Sequence, residues 1–282
     1  MLSEQFEYSD LLPLADRESI EEIISGLRIS SIGVINSLRG RNATLAYSGG
    51  IDSSIAGNLI ANVVSGVSLL ALGKEDSPDF RAVSESKIQY PKNAKIVIEK
   101  ISKSDIETTA NEISKIVNVS NLAHFEDCTA FWLIARRAKE IQGVDTLVSA
   151  NGPDELFCGY DRFRRIADAD GLDSAEKEIK VALKSASSLG REVKKVVSEF
   201  GLDFVEPFFQ APFVDFSLHI PINYKIILGN DLLRKRIWRY FGRTLQISEE
   251  IVTRPKKAMQ YGMGLHRVIL GMLKQGTLDP GV

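Results

Sequence analysis

A short segment in the first fifth of the chain has the residue types of a phosphate-binding loop. It consists of Ser48, Gly49, Gly50, Ile51, Asp52, Ser53 and Ser54. A short apolar run, 43–47, precedes it, and apolar residues at helical spacing follow it. Glycines let the backbone approach an anion closely, and the first amides of a helix point outward with the positive end of its dipole. The segment favours a phosphate cradle; the alternative is a Gly-Gly turn capped by serine.

Asp52 is an unusual neighbour for an anion. A carboxylate fits there if a cation accompanies the phosphate, so the segment indicates a magnesium-bound nucleotide rather than bare phosphate. The Gly-Lys-Ser/Thr ending of a Walker A loop is absent from the segment. The pattern therefore predicts a nucleotide site of a different class.

A second acidic pair follows another predicted strand, at 146–150. Pro153 can occupy the first turn of a helix, which puts Asp154 and Glu155 at the positive end of that helix. The carboxyl ends of parallel strands face one crevice, so Asp52 and Asp154 could share one magnesium ion that also binds water and phosphate oxygens. The alternative is that Pro-Asp-Glu only starts a helix.

Strand and helix patterns alternate through the first part of the chain. Strands are predicted at 43–47, 67–72, 95–99 and 146–150, and helices at 78–89, 104–117 and 126–141. This alternation predicts an α/β fold, a Rossmann-like parallel sheet with helices on both faces. Helical patterns dominate after residue 170. We therefore divide the chain into a helical lead-in (1–40), a nucleotide-binding α/β domain (41–170) and a helical region packed on it (171–282).

Composition excludes several classes of protein. Hydrophobic residues at 44% and charged residues at 26% are typical of globular proteins. A net charge of -2 makes a nucleic-acid partner unlikely, because it provides no field over the whole surface. No apolar run is long enough to span a bilayer and no secretion signal is visible, so we expect a cytoplasmic protein without a membrane partner. The sequence leaves the oligomeric state open.

Three segments, taken together, resemble the synthetase domain of the asparagine synthetase family. The loop 48–54 resembles the PP-loop of N-type ATP pyrophosphatases. Residues 149–160 read SANGPDELFCGY and are similar to the family's SGEGSDELFGGY, and residues 254–262 read RPKKAMQYG and are similar to its C-terminal lysine segment. The resemblance runs from about residue 43 to 270. It implies an adenine nucleotide alpha-hydrolase-like fold and an enzyme that cleaves ATP between the alpha and beta phosphates.

The resemblance also implies a role for individual residues. It makes Asp52 and Asp154 the ligands of magnesium. It makes Lys256, with Lys257 as the alternative, the cation that stabilises the departing pyrophosphate. The implied ATP site comprises Leu45, Ala46, Ser48, Gly49, Gly50, Asp52, Ser53, Ser54, Leu72, Ser149 and Gly152. The implied substrate neighbours are Asn151, Glu155 and Asp203.

The chain departs from the family pattern at several positions. Residue 2 is leucine where glutamine-using members have a nucleophilic cysteine, and about 40 residues precede the PP-loop, so we expect no glutaminase domain. Asn151 replaces the family's catalytic glutamate and cannot take a proton. Cys158 replaces a glycine, and Val205 and Gln210 stand where the family has arginine and aspartate. We therefore expect the ATP chemistry to be retained, while these departures leave the identity of the substrate carboxylate open.

The leading hypothesis is an amide-forming synthetase. A substrate carboxylate attacks the alpha phosphate of ATP, pyrophosphate leaves, and ammonia or an amine displaces AMP from the acyl-adenylate. Asparagine synthesis from free ammonia, or from ammonia delivered by a separate amidase chain, is its first specific form. The alternatives are an enzyme that adenylates a tRNA base, and a nucleotide-binding regulatory protein that has lost turnover.

Two further patterns are interpreted as structural. His124 and Cys128 could share a helix face, but two ligands do not make a zinc site. Leu233, Ile237 and Tyr240 form an apolar stripe, which favours a core helix with charges on its other faces over a nucleic-acid surface.

Overall fold

Strands that run in one direction form the centre of the protein. The computed structural model describes residues 10–13, 16–84, 93–119, 121–255 and 259–279. Within these ranges the strands are β1 (Ala43–Ala46), β2 (Val67–Gly73), β3 (Ala94–Lys100), β4 (Thr146–Val148) and β5 (Asp203–Val205). They form one sheet in the order β3-β2-β1-β4-β5, and each neighbouring pair is parallel. The chain extends the sheet in opposite directions on the two sides of β1, so a crevice forms at the carboxyl ends of β1 and β4.

Helices surround the sheet. In the described ranges they are α1 (Arg17–Ile35), α2 (Ile51–Ala61), α3 (Pro78–Ser84), α4 (Lys103–Ile113), α5 (Leu122–Glu140), α6 (Pro153–Leu156), α7 (Asp161–Asp170), α8 (Leu172–Ser198), α9 (Ala211–His219), α10 (Arg236–Thr244), α11 (Glu249–Val252), α12 (Met259–Gly262) and α13 (Leu265–Lys274). Asp16 caps α1 by accepting from the Ser19 N–H, and Asn121 caps α5 in the same way. The predicted α/β class is confirmed.

The two faces of the sheet bury separate apolar cores. Successive residues of a strand point to opposite faces. Leu69 of β2 therefore packs in one core with residues of α1, α2 and α10, while Leu70 and Leu72 pack in the other with residues of α4, α5 and α13. Val148 and Leu147 of β4 divide in the same way. Continuous apolar strands are what a parallel sheet covered on both faces requires.

The sequence predicts β1 to β4 but not β5. The strand β5 has only three residues, Asp203–Val205, and it follows the 27-residue helix α8 in the region predicted to be helical. It nevertheless pairs with β4 along its whole length, from Thr146↔Asp203 to Val148↔Val205. The boundary near residue 170 stays a prediction, although one strand of the sheet lies beyond it. The end of the helix predicted at 78–89 lies outside the described residues.

The helix α10 is a core helix whose charged side chains are also buried. Ile237 is fully buried, as expected, whereas Leu233, which precedes the helix, and Tyr240 are only partly buried. Trp238, outside the predicted stripe, is fully buried. Arg239 is fully buried as well. Its guanidinium donates to the carbonyl oxygens of Leu233, Arg234, Val252 and Arg254. The expectation that the charges occupy the helix faces away from the core is wrong, because Arg236, Arg239 and Arg243 are buried and donate hydrogen bonds to carbonyls and carboxylates.

His124 and Cys128, which the sequence favours as structural residues rather than zinc ligands, both lie on α5. Cys128 lies on α5 and is fully buried in the core with α4 and α13. His124 Nε2 lies 3.4 Å from Ser185 Oγ. In the part of the chain that the structure describes, no helix is long and apolar enough to cross a membrane.

Asp231→Asn is expected to lower the free energy of unfolding by about 3 kcal/mol, because Arg236 would keep a charge inside the protein without its carboxylate. Asp231 is fully buried and accepts from Arg236 Nη2 at 2.7 Å. Urea unfolding measures the change. The control Glu21→Gln removes an exposed ion pair with Arg17 and should cost less than about 0.5 kcal/mol. Equal losses in the two variants would contradict a stabilising role for the buried pair.

Candidate active site

The loop between β1 and α2 is shaped by its own side chains. Gly49 has a φ of 70°, in the left-handed region, and a Cβ there would lie 2.9 Å from Val83 Cγ2. Glycine is therefore required for both reasons. The Gly50 N–H donates to Ser48 Oγ at 3.3 Å, and Ser53 Oγ donates to the Gly50 carbonyl at 3.2 Å. The loop thus curls around the N-terminus of α2, where backbone N–H groups and the helix dipole attract anions.

A cleft opens beside this loop at the carboxyl edge of the sheet. This first cleft has a cavity volume of about 90 Å³ and is open to solvent. It is lined by Ala46, Tyr47, Ser48, Asp52, Ser53, Leu70, Leu72, Asp79, Phe131, Ile134, Ser149, Ala150, Asn151, Asp154, Met259 and Met263. The apolar lining comes from β2, α5 and the methionines, and the polar lining from the loop and the segment after β4. The cleft can therefore hold a ligand with a flat apolar part and an anionic part.

Asp52 and Asp154 meet at a buried lysine in this cleft. Each carboxylate lies in the first turn of a helix, Asp52 in α2 and Asp154 in α6. Lys235 Nζ lies 2.5 Å from Asp52 Oδ2 and 2.6 Å from Asp154 Oδ1. The lysine side chain is 0% exposed, whereas the carboxylates are 16% and 14% exposed. The three side chains together carry one more negative than positive charge beside the cleft.

A strained turn delivers Lys235 to the carboxylates. Arg234 and Lys235 have φ values of 53° and 51°, and a left-handed residue other than glycine costs about 1–2 kcal/mol. Asp231 stabilises the turn by accepting from the N–H groups of Leu233 at 3.1 Å and Arg234 at 2.9 Å. The indole of Trp238 donates to Asp52 Oδ1 at 2.9 Å. The start of α10 therefore fixes both the lysine and one of its carboxylates.

The two residues that follow Phe157 leave room for this cluster. Cys158 has a φ of 59°, which explains why the resembled pattern has glycine there. Its thiol is fully buried, and burial raises its pKa to about 12. A Cβ on Gly159 would lie 2.0 Å from Asp154 Oδ1 and 2.2 Å from Lys235 Cε. No side chain fits at position 159 while the lysine contacts Asp154.

The aspartate pair fits a magnesium ion in its donor chemistry. Carboxylate oxygens are ligands that Mg²⁺ prefers, and it usually takes only one or two from the protein while water and phosphate oxygens complete the set. Among the described residues no three acidic, histidine or cysteine side chains cluster into a metal site. Lys235 contacts one oxygen of each carboxylate, and both carboxylates line the cleft. An ion held by two aspartates and a nucleotide is compatible with this arrangement.

Asn151 lies beside a carboxyl group of the neighbouring strand. Its amide donates to Glu206 Oε1 at 3.1 Å. Asn151 follows β4 and Glu206 follows β5 directly, so both lie at the carboxyl edge. Burial raises the pKa of Glu206 to about 7, and the hydrogen bond from Asn151 opposes part of this rise. Glu206 is therefore an acid that changes protonation near neutral pH.

A second cleft adjoins the first and shares Asn151, Asp154 and Met259 with it. Glu155 and Tyr160 also line it, and the Tyr160 hydroxyl donates to Glu155 Oε1 at 2.7 Å. Burial and the nearby carboxylate raise the pKa of Tyr160. The remaining lining includes both signs of charge, from Asp127, Asp161, Arg162, Arg165 and Glu206. A polar molecule in the second cleft would lie next to the contents of the first.

The structure separates several sequence-predicted residues from the first cleft. Asp203 starts β5 and pairs with Arg41 at 2.7 Å at the amino edge of the sheet, so its prediction as a substrate neighbour is corrected. The side chains of Leu45 and Ser54 are fully buried and do not line the cleft. Gly152 has a φ of 119° and precedes α6 against Phe208. Lys256 and Lys257 lie outside the described residues.

Sequence reasoning missed Lys235, Trp238 and Glu206. The first two lie in a segment whose apolar stripe was interpreted as packing alone. Glu206 could have been found if β5 had been recognised, because it is the first residue after that strand. Val205 and Gln210, which replace family charges, do not line the second cleft: Val205 packs against a core, and Gln210 Nε2 lies 3.4 Å from Ser37 Oγ.

Gly159→Ala is expected to separate Asp154 from Lys235 and to lower the free energy of unfolding by about 1–3 kcal/mol, as over-packing does. The control is Gly33→Ala in α1, where a Cβ meets nothing within 4 Å and helix propensity should raise stability by up to about 1 kcal/mol. Thermal and urea unfolding measure both. A stabilised Gly159→Ala variant would show that the cluster does not need the space.

Glu206→Gln is expected to remove a pH-dependent loss of stability. The pKa rises from 4.5 to about 7 on folding, so this group stabilises the fold fully below pH 4.5, and that stabilisation is lost as the pH rises to about 7. The shift corresponds to about 3 kcal/mol. Glutamine does not ionise and still accepts from Asn151. The unfolding free energy of the variant minus that of the parent should therefore grow between pH 4.5 and 8; a constant difference would contradict burial of the carboxylate.

Comparison with known proteins gives the same family as the motifs. A sequence profile of the asparagine synthase family matches residues 41–198, more than half of the chain. A putative glutamine-hydrolysing asparagine synthetase of Methanocaldococcus jannaschii is 26% identical over 273 residues, which cover 86% of this chain and 50% of that protein. The glutamine-hydrolysing asparagine synthetase of Sandersonia aurantiaca is 25% identical over 230 residues, 76% of this chain and 40% of that protein.

Human asparagine synthetase domain-containing protein 1 is 31% identical over 137 residues, 46% of this chain and 21% of that protein. The chain thus spans half or less of the length of these three relatives. The profile match covers the PP-loop, β1 to β4 and the segment that holds Asp154. On that match the chain belongs to the asparagine synthase family.

Proposed function

We propose that the chain catalyses ATP-dependent amide formation in the manner of an asparagine synthetase. A substrate carboxylate attacks the alpha phosphate of ATP, an acyl-adenylate and pyrophosphate form, and ammonia or an amine displaces AMP. The observation that carries this proposal is the convergence of Asp52 and Asp154 beside a shaped phosphate loop in one cleft. Ammonia comes from solution or from a separate amidase chain.

The lining of the first cleft supports ATP as the nucleotide. Leu70, Leu72, Phe131 and Ile134 provide an apolar surface for adenine. The loop provides serine hydroxyls and the N-terminus of α2 for the phosphates. The resemblance implies that backbone near Leu45 and Leu72 holds adenine with Ser149 at its edge, and Leu72 and Ser149 both line the first cleft.

Magnesium is the proposed cofactor of this ATP. When bound, it would neutralise phosphate charge and so assist departure of pyrophosphate. Asp52 and Asp154 would hold it, and Lys235 keeps their repulsion small when they are close together. Trp238 orients Asp52 through its indole N–H. The protein thus presents both carboxylates in a fixed arrangement.

Two described residues support Lys256 as the cation that stabilises the departing pyrophosphate, with Lys257 as the alternative. Arg254, before it in sequence, donates through Nη1 to the Gly49 carbonyl at 3.2 Å. Met259, after it, lines both clefts. Segments on both sides therefore adjoin the phosphate loop or the clefts. A lysine close to the developing charge would supply a preorganised cation.

The second cleft is the proposed site of the carboxylate substrate. It meets the first cleft at Asn151, Asp154 and Met259, so a substrate there would lie next to the nucleotide. Arg162 and Arg165 are cations of its lining that can attract a carboxylate. Glu155, fixed by Tyr160, can accept from a substrate amine. Holding carboxylate and phosphate in line contributes several kcal/mol to such reactions.

The test is product analysis with ATP, magnesium, ammonium chloride and a panel of carboxylates led by aspartate. We expect AMP and pyrophosphate in equal amounts. Asp52→Asn and Asp154→Asn should each lower AMP formation by about 10²–10³-fold, the effect of removing one electrostatic contact to a transition state. The matched control Asp203→Asn changes an exposed aspartate at the opposite edge of the sheet and should keep parent activity.

Other products would contradict the proposal. ADP and phosphate would exclude cleavage at the alpha phosphate. ATP binding without AMP for every carboxylate would favour the regulatory alternative, and AMP that forms only with added tRNA would favour the tRNA-modifying one. Asparagine among the products would establish the first specific form.

A further inference from the structure

Glu206, which follows β5, lies next to Asn151, the residue at the position of the family's catalytic glutamate. The register Val148↔Val205 places the ends of β4 and β5 side by side. Asn151 and Glu206 follow these ends, and the Asn151 amide donates to Glu206 Oε1 at 3.1 Å. A carboxyl oxygen therefore lies within one hydrogen bond of the side chain that replaced glutamate.

The second oxygen of Glu206 is placed by helix α8. A Cβ on Gly190 would lie 2.8 Å from Glu206 Oε2, so the glycine lets this helix approach the carboxyl group closely. Glu206 lines the second cleft together with Asn151 and Glu155. The carboxyl group thus accepts from Asn151 through one oxygen, lies close to α8 through the other, and borders the space proposed for the substrate.

The other acids next to Asn151 are engaged. Asp154 pairs with Lys235, and Glu155 accepts from Tyr160. Glu206 has no ion pair with a described residue, and its pKa of about 7 results from burial. An acid with a pKa near the working pH is best suited to accept and release protons. Of these three acids, Glu206 matches that requirement.

We propose that Glu206 is the proton acceptor of the amide-forming step and replaces the glutamate that position 151 lacks; this inference rests on the proposed function. Neutral ammonia or amine attacks the carbonyl carbon of the acyl-adenylate, and a C–N bond forms. The C–O bond to AMP breaks, and AMP leaves with its electron pair. One proton of the nitrogen passes to the Glu206 carboxylate, which later releases it to water. Asn151 orients the carboxylate through its amide.

The test separates the two half-reactions in the full chain. Carboxylate-dependent exchange of pyrophosphate into ATP reports adenylation, and amide release with ammonium chloride reports the second step; the carboxylate is the panel member that gives AMP, beginning with aspartate. Glu206→Gln should keep exchange within about 3-fold of the parent and lower amide formation by about 10²–10⁴-fold, the usual contribution of a positioned base. Parent-like amide formation in this variant would overturn the inference.

A swap of the two side chains tests the position. The double variant Asn151→Glu/Glu206→Gln returns the carboxylate to position 151 and should recover at least about 10-fold of the lost amide-forming rate, part of a base's contribution. Gly190→Ala, which displaces the Glu206 carboxyl group without removing it, should slow the amide-forming step and spare exchange. Loss of exchange together with amide formation in Glu206→Gln would instead indicate a role in substrate binding and would overturn the inference.

The pH dependence gives a second readout. At a constant concentration of neutral ammonia, amide formation by the parent should rise with an apparent pKa near 7, and this rise should be absent from Glu206→Gln. The titratable or charged groups that also line the cleft are His124, Asp127, Asp154, Glu155, Tyr160, Asp161, Arg162, Arg165 and Tyr261. They are unchanged in the variant, so a rise that persists would belong to one of them and would overturn the inference. Absence of exchange in the parent would remove the proposed function itself, and this inference with it.

Discussion

One buried ammonium group links the segments that form the first cleft. Lys235 contacts Asp52 after β1 and Asp154 after β4, and these three residues are far apart in the sequence. Two carboxylates this close would repel each other strongly in a partly desolvated cleft. The lysine makes their approach favourable, and the left-handed turn before α10 and the absence of a side chain at Gly159 both follow from its position. The acidic pair and the fold around it therefore depend on each other.

The carboxyl edge of the sheet gives four acids three different environments. Asp52 and Asp154 share a cation, Glu155 accepts from a phenol, and Glu206 is half-buried beside an amide. The chemistry available to a carboxyl group follows from these neighbours rather than from its residue type. Parallel strands make this division possible, because each strand end delivers its next residues to the same crevice.

The sequence predicts those parts of the site that lie in segments with a recognisable local pattern. The strands β1 to β4 have apolar runs, the loop has its glycines, and a strand end followed by an acidic first turn predicted that Asp52 and Asp154 would approach each other. Lys235 has no such signal, because 183 residues separate it from Asp52 and a left-handed backbone at lysine has no sequence pattern. Asp203 was expected near the substrate because β5 was not recognised. The sequence did not reveal that Asp203 begins this strand and so lies at the amino edge of the sheet.

The reactivity of the Cys158 thiol reports local opening of the segment around it. The thiolate is the reactive form of cysteine, and a fully buried thiol with a pKa of about 12 does not react with alkylating reagents. Its reactivity returns only when the segment between Phe157 and Gly159 leaves its place. Cys158 packs in a cluster with residues of α7 and α8, whereas Cys128 is buried on α5 in the core shared with α4 and α13. The difference between the labelling rates of the two thiols therefore measures how often the cluster around Cys158 opens while that core stays closed.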